Sequence, residues 1–110
     1  MSKEIDATAA RLQQEVPTAE TRIDDALIAV SSLMASVVTA RRDTTGVPAA
    51  KGHATIQRLA KAQMALVDAS GNVMRVHGEL VTLGREIAGY DLHQECPQRR
   101  ASIHPLHAVA

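Results

Sequence analysis

Residues Ile56–Ile87 read IQRLAKAQMALVDASGNVMRVHGELVTLGREI, and their spacing decides the fold. Counted in sevens from Leu59, one row is Leu59, Leu66, Val73, Leu80 and Ile87. A second is Ala62, Ala69, Val76 and Leu83, and a third is Ala60, Val67, Met74, Val81 and Ala88. Every member is apolar. At 100° per residue the three rows fence off a helix face roughly 160° wide, broader than one neighbouring helix covers. Between them runs a row of small and polar residues, Gln63, Ser70, His77 and Gly84, while Arg58, Lys61, Asp68, Asn72, Arg75, Glu79 and Glu86 take the far side. The period is that of an amphipathic helix with two neighbours.

The preceding segment repeats the pattern. Ile23, Val30 and Val37 form one row, Ala26, Leu33 and Ala40 a second, and Leu27 with Met34 a third, with Asp24, Asp25, Ser31, Ser32, Ser36 and Thr39 read as the outer side. Upstream, Ile5, Ala9, Leu12 and Val16 recur at helical spacing after Ser2, a good N-cap residue. Pro17 interrupts this run. It lacks the N–H that an interior helical residue donates, so a kink or a restart is expected there. Between the two long segments, Thr44–Ala50 reads TTGVPAA, with Gly46 suited to a helix C-terminus and Pro48 to the start of the next helix.

Helices over about 3–15, 18–43 and 50–88 follow, in one domain of residues 1–88 with a C-terminal tail, 89–110, that the repeat does not enter. A connection this short makes the neighbours antiparallel. The expected fold is all-α: a long antiparallel helical hairpin, its first arm kinked near Pro17, dimerising as a four-helix bundle. The alternative is a three-helix bundle broken at Ser70–Asn72, since Ser70, Gly71 and Asn72 suit a turn. The unbroken phase of all three rows across that tripeptide favours the hairpin. The row facing away from the first arm, Ala60, Val67, Met74 and Val81, with Gln63, Ser70 and His77 as polar layers, is the expected oligomer interface.

Composition narrows the function. Lys and Arg together number 12, as do Asp and Glu, so there is no net charge to draw a polyanion. Tyr90 is the one aromatic residue, which removes the stacking faces on which single-strand, sugar and most cofactor sites depend. No nucleophile elbow, phosphate loop or dinucleotide fingerprint is present, and no Glu-x-x-His pair of the kind used by di-iron bundles. An enzyme is not expected. With Cys96 alone no internal disulfide forms, and the charged N-terminus does not read as a signal peptide, so a cytoplasmic setting is expected. Ala26–Ala40 is fifteen residues without a charge, spanning about 22 Å as a helix against about 30 Å of hydrocarbon. Its serines and short span favour a buried helix over a membrane one.

The expected function is therefore that of a non-enzymatic structural or adaptor protein, acting through self-association and contact with a protein partner. Two alternatives rest on particular residues. His93, Cys96, His104 and His107 form H-x2-C-x7-H-x2-H in the tail, four ligand types for a tetrahedral zinc ion, although the loop is short and the ligand set uncommon. Arg41, Arg42 and Lys51 supply a smaller basic group for a DNA-associated regulator.

Overall fold

A computed structural model describes residues 3–88. Two α-helices, α1 (Lys3–Asp43) and α2 (His53–Ala88), pack against each other as an antiparallel hairpin, with no strand among the described residues. The tail expected over 89–110 lies outside the described residues.

The helix runs through Pro17 without a break. Its ring removes the bond that residue 17 would make to the Gln13 carbonyl, and the Thr18 hydroxyl adds a donor to the Gln14 carbonyl one residue on (2.8 Å). The two helices expected over 3–15 and 18–43 are therefore one. α2 likewise passes through Ser70, Gly71 and Asn72 uninterrupted, so the three-helix alternative does not form. Glycine and asparagine there cost helix propensity of about 1 kcal/mol or less each, too little to outweigh the apolar seam on either side.

The connection closes α1 with a doubled bond: the Thr44 N–H (3.0 Å) and its hydroxyl (2.6 Å) both donate to the Ala40 carbonyl. Gly46 then takes φ +83° and turns the chain out of the helix, the left-handed conformation that glycine adopts without steric cost. Pro48 opens a turn and not the helix expected from residue 50. The Lys51 N–H donates to the Pro48 carbonyl, and α2 begins only after Gly52 (φ +75°), whose carbonyl accepts the first helical bond from Ile56. The Arg41 guanidinium donates to the Ala49 carbonyl (3.0 Å), tying the connection to the end of α1.

The described residues form two compact units, Glu20–Met74 and residues 3–19 with 75–88. In the first, Ile23, Leu27, Val30, Met34 and Val37 of α1 are half-buried, as are Ile56, Leu59, Leu66 and Val73 of α2. The Leu59 row is thus the seam, as its spacing predicts. In the second, Ala9 and Val81 are packed together at 9% and 7% exposure. Among the described residues these two are the whole fully buried apolar core, and no side chain falls below 2% exposure. A two-helix layer covers one side of each helix and leaves the rest to water.

Candidate interaction surface

The seam of the Glu20–Met74 unit carries polar groups from both helices. Gln63 sits in the row between the apolar fences, and its amide nitrogen donates to the Ser31 hydroxyl of α1 (3.1 Å). Ser31 and Asp24, read from sequence as outward, are half-buried, and Glu20 is buried at 8% exposure. One row of α1 is decisive: Gln13, Glu20, Leu27, Met34 and Arg41 all turn inward. It is apolar only in its middle, so hydropathy alone hid its two ends. Of the row Ala26, Leu33 and Ala40, also read as apolar, Leu33 and Ala40 are exposed.

Of the seven residues expected at an oligomer interface, four are engaged within their own unit or half-covered: Gln63, Ser70 and His77 are half-buried, with His77 Nε2 out of solvent, and Val81 is buried. The other three, Ala60, Val67 and Met74, are exposed. They are joined by Met64 and, on α1, by Ile28 at 65% exposure. Helical spacing puts these residues on one side of the layer. Ile28 and Ala35 lie about 80–100° round α1 from the Leu27 seam, and Ala60, Met64, Val67 and Met74 about 60–140° round α2 from the Leu59 seam in the same sense. Because α2 both runs and faces the opposite way, a turn of the same sense reaches the same side in both helices. A shallow groove along Leu27, Ile28, Ser31, Ser32 and Ala35 marks that side of α1. No charged residue interrupts it between Ile28 and Thr39, and Lys61 and Asp68 of α2 point elsewhere.

Arg41 and Arg42, near the connection, are both engaged by neighbouring groups. Arg41 bonds the loop, and Arg42 pairs with Asp43 through two contacts of 2.7 and 3.1 Å, which holds the Asp43 carboxyl below the usual carboxylate range. This pair is exposed, so it contributes little to stability. The zinc ligand set His93, Cys96, His104 and His107 lies outside the described residues; among those described, no three His, Cys, Asp or Glu side chains come together as a metal site. α1 contains an 18-residue window of mean hydropathy 1.6, long and apolar enough by composition to cross a membrane.

The polar layer gives a direct test. Gln63→Leu replaces a part-buried amide by an apolar side chain and is expected to raise stability by about 1 kcal/mol. It also removes the bond that fixes α1 against α2, so a broader mixture of assemblies is expected. Urea denaturation together with sedimentation measures both effects. Comparison with known proteins returns no match to a family, a curated protein or a solved structure.

Proposed function

We propose that this chain is a non-catalytic helical protein that works by self-association, the assembled hairpins forming a scaffold for a protein partner. One observation carries the reading: a hairpin with almost no core exposes Ile28, Met64, Val67 and Met74 together on one side. A contiguous exposed apolar patch of this kind is often an interaction site, and more so as it grows beyond a few hundred Å². A second hairpin laid on that side supplies the missing layer and makes a four-helix bundle.

Lipid would also cover apolar surface, and the hydropathy of α1 favours it by composition. Pulling α1 into a bilayer, however, strips Leu59, Leu66 and Val73 of the seam they half-bury and leaves Glu20 and Asp24 in or near hydrocarbon. Association between chains keeps the seam intact. Sedimentation of the full chain at micromolar concentration is expected to show a dimer or larger species, with helicity that falls as the protein is diluted. A monomer that stays fully helical on dilution would defeat the proposal.

A further inference from the structure

The exposed side of α2 is matched to itself. In order it reads Ala60, Met64, Val67, Gly71, Met74, with the bulky residues and the small ones disposed about Val67 as opposites. Met74 lies seven residues after Val67 and Ala60 seven before it, whereas Met64 and Gly71 flank it more closely. Gly71 is an open notch, since a Cβ added there would meet nothing within 4 Å. We infer that a second copy of the chain seats on this side with α2 antiparallel to α2, the two-fold axis passing by Val67 and the connecting loops at opposite ends. In that register Met74 meets the partner's Ala60, Met64 meets the partner's Gly71, and Val67 meets the partner's Val67. Ile28, level with Val67, lies beside the partner's Ile28.

Size alternation decides the orientation. With the loops at the same end, α2 would lie over the partner's α1. Ala60 would then face the partner's Ala35, leaving a void, and Met74 would face the partner's Thr21 and Asp24, half-burying a carboxylate beside a thioether. The antiparallel register instead puts each methionine over a small residue, which is knob-into-hole packing. The extent is also sufficient. The exposed parts of Ile28, Met64, Val67 and Met74 come to on the order of 450 Å², and Ser32, Ala35, Thr39 and Ala60 carry the face to roughly 700 Å², within the approximately 600–1,000 Å² per partner of stable interfaces. Among the helical residues of the Glu20–Met74 unit, Leu33 is the one large exposed apolar side chain on the opposite side, so the second copy buries far more on the Val67 side.

The inference rests on the self-association proposed above, and cysteine pairing separates the two. In full-length protein carrying Cys96→Ser, Val67→Cys is expected to oxidise to a covalent dimer, because residues at the axis approach their own copies. Ala60→Cys mixed with Met74→Cys is expected to form a mixed dimer, with at least tenfold less product from either alone. Gly71→Leu fills the notch and is expected to weaken the dimer at least tenfold while helicity at high concentration is kept. Pairing of Val67→Cys with Ile28→Cys in place of self-pairing would overturn the orientation. Efficient pairing through Leu33→Cys, with none at Val67, would overturn the choice of side; both results leave self-association standing. A parent protein that sediments as a monomer would sink both, and if that monomer floated with phosphatidylcholine–phosphatidylglycerol vesicles the face would belong to lipid.

Discussion

Leu66→Asp is expected to abolish the helical fold at every concentration, while Val67→Asp, one residue away, is expected to weaken association, so that helicity is kept only where the protein is concentrated enough to pair. Leu66 stands in the seam against α1, in the row with Leu59 and Val73. A carboxylate there is driven into apolar surroundings without a partner, at a cost of about 3–5 kcal/mol. That matches or exceeds what a hairpin this thin has to lose. Val67 is 48% exposed on the free side of the same helix. An aspartate there costs the isolated hairpin little in helix propensity, where valine and aspartate rank about equally. In the dimer it lies at the axis, where two like charges meet with their water removed. Circular dichroism and sedimentation of both variants distinguish the cases. Equal loss of helicity in the two at a concentration where Val67→Asp still sediments as a dimer would mean that α2 is covered equally on both faces within one chain, contrary to the exposure of Val67. For Val67→Asp the dichroism is read at high protein concentration, because a hairpin without its second layer also loses helicity on dilution.

The contrast between these neighbours shows where the sequence is informative. Periodicity of α2 places Leu59, Leu66, Val73 and Leu80 inward because one seam needs one continuous row, and the structure half-buries all four. Taking Ala60–Val67–Met74 and not Ala62–Val76–Leu83 as the row that faces away from the first arm goes beyond hydropathy, since both are apolar. That choice is made by α1. Its inward row is polar at both ends, with Gln13 and Glu20 before Leu27 and with Arg41 after Met34, so a hydropathy reading finds only its middle. Hydrogen bonding accounts for the difference at Ser31, which meets Gln63 across the seam. Neither partner announces the other, being 32 residues apart. At Pro17 only the restart fails: an interior proline loses one backbone bond, and the seam on both sides of it keeps the helix continuous. The start of α2 at His53 and not residue 50 follows from Gly52, whose positive φ ends the turn that Pro48 begins.

Val81→Asp is expected to melt the unit formed by residues 3–19 and 75–88 before it disturbs Glu20–Met74. Val81 is the least exposed residue of the described chain at 7%, and Ala9 packs with it at 9%. This pair is the one fully buried apolar contact in that unit, so a carboxylate there removes the contact and adds an unpaired buried charge, about 3 kcal/mol in all. The seam from Leu59 to Val73 and the Gln63–Ser31 bond lie in the other unit. Hydrogen exchange by mass spectrometry is expected to show amides of 3–19 and 75–88 losing protection at least a hundredfold, with those around Leu27, Val30 and Leu66 retaining most of theirs. Val81→Ala is a milder companion that removes only two methyl groups and is expected to cost about 1–2 kcal/mol. Uniform loss of protection along both helices in Val81→Asp would mean that the hairpin unfolds as a single cooperative body.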